Sequence, residues 1–154
     1  MEKIKKIIFF IVVMAIFSIP GFLFSQNIEF YDEINKPIFA PKGIVFSVVW
    51  TGLYAIQSYY ITHVYYNHRF SEKGKKLLWL LIINGILNIL YTPIFFVFES
   101  IFGGLITTLF VFVSLILIIL KSKEIQVKEW YLEIPYLLWS IFALILSISL
   151  YLMN

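Results

Sequence analysis

Five apolar runs, each about as long as a bilayer is thick, dominate this chain of 154 residues. A helix needs about 20 mostly apolar residues to span the hydrocarbon core. Runs of that length cover roughly 4–24, 43–66, 77–98, 101–120 and 131–153, and the only charges within them are Lys5, Lys6 and Glu133, all near a run's end. A water-soluble core of this size could not hide so much oil, since 61% of the residues are hydrophobic against about 45–50% in soluble domains. The expected fold class is therefore an all-α membrane protein, a five-transmembrane-helix bundle forming one domain over residues 1–154. Connections of about 18, 10, 2 and 10 residues between these runs make consecutive helices antiparallel neighbours.

The first run follows Lys3, Lys5 and Lys6 and is interrupted by Pro20 and Gly21, an outline shared with signal peptides. The segment around Leu23, Phe24 and Ser25 lacks small residues at both key positions of a cleavage site and the run is long enough to span, so it is read as the first spanning helix. Orientation follows from Lys and Arg. Lys3, Lys5, Lys6, Arg69, Lys73, Lys75, Lys76, Lys121, Lys123 and Lys128 share one side, while the other holds Lys36 and Lys42 among Glu29, Asp32, Glu33 and Glu99. The expectation is a cytoplasmic N-terminus and a C-terminus outside. The basic residues lie in short clusters rather than a continuous stripe, which argues against a nucleic-acid partner; membrane lipid is the expected surround.

Trp79 and Trp130 begin the third and fifth runs, where indoles anchor at the headgroup level. Trp50 and Trp139 lie eight or nine residues inside their runs and ask for another role. The third run places Asn84, Asn88, Tyr91 and Thr92 at i, i+4, i+7 and i+8, on one face. An amide in hydrocarbon needs a partner, so that face looks inward. The second run offers Phe46, Trp50, Leu53, Tyr54 and Gln57, and the fifth Tyr136, Trp139, Ser140, Ala143 and Ser147. Much of this set falls between mid-bilayer and the side of the first loop, 25–42, whose Phe30, Tyr31, Pro37, Phe39 and Pro41 suit a lid. A lidded aromatic pocket with a few amides and hydroxyls suits a flat, largely apolar ligand.

The competing reading is ordinary interhelical packing, with Asn and Thr as hydrogen-bonding glue and Pro93 and Pro135 as kinks. Gly103 with Thr107, and Gly104 with Thr108, form small-xxx-small pairs of the kind that bring helices of two chains together. Cysteine is absent, which removes thiolate chemistry and Cys-based metal sites. His63 and His68 sit near the basic end, remote from the expected pocket, and no metal site is expected. Energy-coupled transport usually requires ionisable residues at the midplane, and acid–base catalysis finds no cluster to use.

The loop and helix patterns resemble the TspO/MBR family, the tryptophan-rich sensory or translocator proteins once called peripheral benzodiazepine receptors. Its loop pattern W-Y-x-x-L-x-K-P-x-W-x-P-P, followed by F-x-x-x-W-x-x-L-Y, is met by Phe30, Tyr31, Ile34, Lys36, Pro37, Phe39, Pro41, Phe46, Trp50, Leu53 and Tyr54. The family's N-x-x-W-S and following F-F correspond to Asn88, Tyr91, Thr92, Phe95 and Phe96, and P-Y-x-x-W-x-x-F-A stands intact from Pro135 to Ala143. Phe30, Phe39 and Tyr91 stand where the family has Trp, Lys42 where it has a second Pro, and Ser147 where it has Asn. The animal sterol pattern needs a basic residue after Tyr, whereas Leu152, Met153 and Asn154 follow Tyr151.

The resemblance implies a protein of the bacterial cytoplasmic membrane, often homodimeric, that binds protoporphyrin IX or haem and also isoquinoline carboxamides and benzodiazepines. It requires no obligatory cofactor. The implied role is a sensor or receptor that modulates tetrapyrrole levels or stress responses; passive or partner-assisted transport of porphyrins and light- and oxygen-dependent breakdown of protoporphyrin are the alternatives. The implied site is Tyr31, Trp50, Tyr54, Asn88, Tyr91, Thr92, Trp139 and Ala143, with Trp50 and Trp139 matching the tryptophans implicated in photochemical breakdown.

Overall fold

The structure is a computed structural model that describes residues 1–24 and 29–154. The first four residues of the expected lid loop, including Ser25 of the candidate cleavage segment, lie outside the described residues. The helices are α1 (Glu2–Leu23), α2 (Glu29–Glu33), α3 (Gly43–His68), α4 (Glu72–Thr92), α5 (Ile101–Glu124) and α6 (Ile134–Met153). A π-helical turn, Pro93–Val97, prolongs α4, and a 3₁₀ turn, Lys128–Glu133, leads into α6. Five of these helical stretches are long and apolar enough to span a membrane, beginning at Glu2, Gly43, Glu72, Ile101 and Lys128. The expected five-helix bundle is what the chain forms.

Helices outrun the apolar segments at the basic end. The hydrocarbon criterion marks the membrane core, whereas backbone hydrogen bonding continues into the headgroup layer wherever a cap supports it. Ser71 Oγ accepts from Gly74 N at 3.0 Å, starting α4 at Glu72 rather than near Leu77. Lys121 and Lys123 sit in the last turn of α5, beside its free carbonyls. The three residues 98–100 between the π-helical turn and α5 close the connection because Glu99 takes a left-handed φ of 51° and Ser100 Oγ accepts from Gly103 N at 3.0 Å.

Pro93 donates no backbone hydrogen bond and opens the π-helical turn, where Phe98 N reaches back to Pro93 O at 3.0 Å. That widened turn pushes Phe95, 2% exposed, against α5. A Cβ added to Gly104 would stand 2.6 Å from Phe95 Cδ2, and one on Gly103 2.6 Å from Ile94 Cγ2. The small pairs Gly103/Thr107 and Gly104/Thr108 thus admit the chain's own π-helical turn, and their close-approach face is already occupied within the chain.

Packing runs α1 on α3 and α4, α3 on α4, α4 on α5 and α5 on α6, with α3 also meeting the 3₁₀ turn. The core has three tiers. Tyr60, Val64, Leu77, Leu81, Ile118 and Val127 fill the basic end. Leu53, Val111, Leu115, Ile119 and Tyr136 fill the middle. Tyr31, Phe95, Leu146 and Leu150 fill the loop end, where the first loop contributes directly to the core.

Glu133 stands near a run's end, as expected, and is turned inward there. It is fully buried, and Gln57 Nε2 donates to its Oε2 at 2.5 Å, while Oε1 has no partner among the described residues. A carboxyl out of water needs such a donor. Sequence position placed Glu133 near a helix end; the 3₁₀ turn that rotates it inward beneath α3 carries no sequence signal strong enough to foresee.

Candidate ligand-binding site

A cavity of about 410 Å³ occupies the loop-side half of the bundle. Its aromatic walls are Phe46, Trp50 and Tyr54 on α3, Tyr91 on α4 and Tyr31 from the loop. Asn88 and Thr92 of α4, and Ala143 and Ser147 of α6, complete the surface expected from sequence. Of the expected binding residues, nine line this space together and two do not.

The two are Asn84 and Trp139. Asn84 lies one turn below Asn88, 3% exposed, and its Nδ2 donates to Val111 O at 3.1 Å and Ser114 Oγ at 2.8 Å. Its role is to tie α4 to α5 under the floor. Trp139 stands behind the wall, its ring 6.5 Å from Trp50 and 6.0 Å from Phe46 in edge contacts and 5.1 Å from Phe142. It holds Trp50 in place rather than presenting its own face, and its Nε1 is buried without a partner.

The polar floor is a connected network. Tyr54 Oη donates to Asn88 Oδ1 at 3.4 Å, Asn88 Nδ2 to Tyr136 Oη at 2.5 Å, and Tyr136 Oη to Asn84 Oδ1 at 3.1 Å. Three helices are pinned where hydrocarbon surrounds them, and Asn88 is held with one edge toward the cavity. Thr108 and Ser140 donate to carbonyls of their own helices, and Ser147 donates to Thr108 at 3.3 Å, so these hydroxyls offer the cavity mainly acceptor lone pairs.

The loop closes the outer end through its own bonds. Lys36 Nζ donates to the carbonyls of Tyr31, Asp32 and Ile34 at 2.6, 2.8 and 3.2 Å, satisfying the C-terminal end of α2. Tyr31 Oη donates to Pro41 O at 3.0 Å. The Tyr31 phenol is pushed above its ordinary range, first by burial and then by the Asp32 carboxylate. Phe39 packs edge-on to Phe142 at 6.3 Å, and Pro37 O accepts from Ala40 N in a tight turn. At the far end Asn35 N donates to Asn154 Oδ1 at 2.9 Å and Asn154 Nδ2 donates to Asn35 O at 3.0 Å, clipping the loop to the C-terminus. Lys36, Pro37, Phe39 and Pro41 therefore shape the loop that brings Tyr31 to the cavity; none of them lines it.

Sequence reasoning missed Ser18 and Gly21 of α1 and Thr108 and Val111 of α5, which complete the walls. Nothing in the apolar run of α1 marks Ser18 as inward, and Thr108 carried only a packing reading. Among the described lining residues none is Asp, Glu, Lys, Arg, His, Cys or Met, and no group of three metal-ligating side chains occurs among the described residues. His63, whose Nε2 lies 3.0 Å from Glu129 Oε2, and His68 belong to the basic end. The donor set suits a flat apolar ligand held by ring contact and a few neutral hydrogen bonds; among the described lining residues it offers a haem iron no His, Cys or Met.

Residues 7–152 match the TspO/MBR family. The chain belongs to that family. The uncharacterised membrane protein YtaB of Bacillus subtilis is 33% identical over 146 residues, covering 94% of this chain and 93% of its own. The tryptophan-rich protein TspO of Bacillus cereus is 29% identical over 154 residues, covering 100% of this chain and 99% of its own. Protein CrtK of Rhodobacter capsulatus is 25% identical over 134 residues, covering 87% of this chain and 83% of its own. Membership and the five apolar helices make this an integral membrane protein of the TspO/MBR family, and the matched region includes every described cavity residue.

Proposed function

We propose that this TspO/MBR protein is a porphyrin receptor of the bacterial cytoplasmic membrane, its basic end inside, whose occupied cavity signals or adjusts tetrapyrrole levels. The observation that carries the reading is the aromatic cavity, uncharged among its described lining residues, with Trp50, Tyr54 and Tyr91 as faces for a planar ring and Asn88 as an oriented amide. At about 410 Å³ it falls in the range of small-molecule sites, roughly 300–1,000 Å³. The propionates of protoporphyrin IX cannot be matched by any described lining cation, so they point to the mouth, where exposed Lys42 precedes the lining residue Gly43. A haem would be held chiefly by its ring, since no His, Cys or Met is among the described lining residues to bind its iron. The homodimer belongs to the same reading and would form through a face other than Gly103–Thr108, which packs internally.

Quenching of tryptophan fluorescence by protoporphyrin IX in nanodiscs tests this reading. Saturable binding weakened by Trp50→Phe and Asn88→Leu is expected, with Trp139→Phe acting less because its ring stands behind the wall. Saturation unaffected by all three would overturn it. The contact of Trp139 with Trp50 on the wall favours one second reading, light- and oxygen-dependent breakdown of bound protoporphyrin. It requires loss of porphyrin absorbance on illumination in air, abolished by Trp50→Phe.

A further inference from the structure

A second cavity, about 470 Å³, runs along the outside of the bundle between α1 and α4, with α3 behind it. Phe9 and Val12 form one bank, Leu78, Ile82 and Ile89 the other, and Tyr65 stands toward the basic end. Every described lining side chain is hydrocarbon or aromatic, the Tyr65 hydroxyl apart. From Leu78 to Ile89 the α4 bank rises about 16 Å at 1.5 Å per residue. That is about half of a hydrocarbon core roughly 30 Å thick, the depth of one leaflet.

The mouth at the basic end is an aromatic platform bearing two cations. Phe9 stacks on Tyr65 at 4.6 Å and meets Tyr66 edge-on at 5.9 Å. Arg69 lies over Tyr65, Tyr66 and Phe70, its Cζ 4.7, 5.6 and 4.6 Å from the three centroids, and Lys6 Nζ is 5.4 Å from the Tyr66 ring. Among the described residues no carboxylate lies within 4 Å of Arg69, and its buried Nε has no hydrogen-bond partner. Lys6 has only a 3.6 Å contact with Glu2 one turn away. A stacked guanidinium keeps its N–H edge free for a phosphate, which it binds with two parallel donors. The uncompensated charge of Arg69 thus sits where an apolar furrow one leaflet deep begins.

We propose that this furrow binds an acyl chain of an anionic phospholipid whose phosphate rests between Lys6 and Arg69. The length of the furrow selects a lipid over a soluble phosphate, and the unpaired Arg69, with Lys6 beside it held only by a 3.6 Å contact to Glu2, selects an anionic headgroup over a zwitterionic one. The site is independent of the loop-side cavity, from which it differs in depth, face and lining.

Purified protein in neutral detergent, titrated with phosphatidylglycerol or with phosphatidylcholine of the same chains and followed by native mass spectrometry, tests the proposal. A first equivalent of phosphatidylglycerol is expected to bind saturably and more tightly than phosphatidylcholine. The double variant Lys6→Gln/Arg69→Gln is expected to weaken it roughly thirtyfold, the combined effect of two surface cations on an anionic headgroup. Lys3→Gln/Lys5→Gln removes the same charge off the platform and is expected to leave the first equivalent in place. Ile82→Trp, filling the furrow at a half-exposed position, is expected to weaken binding with the cations intact, and inorganic phosphate is expected not to compete. Ile86→Trp, one turn along, replaces it if Ile82→Trp loses helical circular dichroism. Equal affinity for the two lipids, equal losses in the two charge variants, a furrow-filling Trp without effect, or displacement by phosphate would each overturn the proposal.

Discussion

Tyr136→Phe removes one oxygen atom from the middle of the bundle and leaves the ring, 1% exposed, in place. That oxygen accepts from Asn88 Nδ2 at 2.5 Å and donates to Asn84 Oδ1 at 3.1 Å. The damage is asymmetric. Asn84 keeps both bonds from its Nδ2, to Val111 O and Ser114 Oγ, whereas Asn88 keeps only the longer bond that Tyr54 donates to its Oδ1 at 3.4 Å. Interhelical hydrogen bonds in membranes average about 0.6 kcal/mol and reach about 1.7, and a buried group left unpaired costs about 1–3 kcal/mol. Losing two bonds, with the Asn88 Nδ2 donor and the Asn84 Oδ1 acceptor left without them, gives an expected destabilisation of about 1–3 kcal/mol. Reversible unfolding in mixed detergent–SDS micelles measures it, and a double-mutant cycle with Asn88→Leu isolates the shared part. The combined variant is expected to cost clearly less than the sum of the two. A loss below about 0.5 kcal/mol, within the ordinary error of additivity, would refute the claim that this network fixes the cavity floor.

Gly104→Ala places a methyl 2.6 Å from the Phe95 ring, which is buried and cannot turn away; overpacking of this kind costs about 1–3 kcal/mol, and an unchanged thermal midpoint in detergent would contradict the close approach described. Glu133→Gln retains an acceptor for Gln57 Nε2 whereas Glu133→Leu strands that amide, so unfolding titrations should find the Leu variant less stable by about 1–3 kcal/mol, and equal stabilities would contradict the pairing. The Tyr31 phenol, held above its ordinary 10.0 by burial and by Asp32, remains protonated and bonded to Pro41 O below that pH. Its stabilisation of the loop is full there and is lost as pH rises through the raised value. Near-ultraviolet circular dichroism should follow that loss in wild type and not in Tyr31→Phe, and a loss beginning in the neutral range would contradict the assignment.

The spans and the inward face of α4 were legible because hydrophobic length and helical periodicity are local properties. So were the aromatic stripes of α3 and α6, since Trp50 and Trp139 stand out eight or nine residues inside their runs. What escaped depended on rotation and partner choice. Asn84 and Asn88 share one face of α4 by spacing, yet α5 takes the first and the cavity the second. The burial of Glu133 was not legible, because distance along the chain says nothing about a 3₁₀ turn that swings it beneath Gln57. Gly103 and Gly104 suggested a second chain, whereas the π-helical turn opened by Pro93 fills the space they leave. The contribution of α1 to the cavity through Ser18 and Gly21 is set by packing alone.

The central claim is that the loop-side cavity is the ligand site, and filling it tests that claim most directly. Ala143 lines the cavity on α6 and contributes almost no volume to it, so Ala143→Phe projects a ring into the space a ligand would take. The measurement is protoporphyrin IX affinity by fluorescence quenching in nanodiscs, with helical circular dichroism held equal to wild type. The account predicts that Ala143→Phe abolishes saturable binding while the fold stays intact. Wild-type affinity in a folded Ala143→Phe protein would contradict it and move the ligand elsewhere on the molecule.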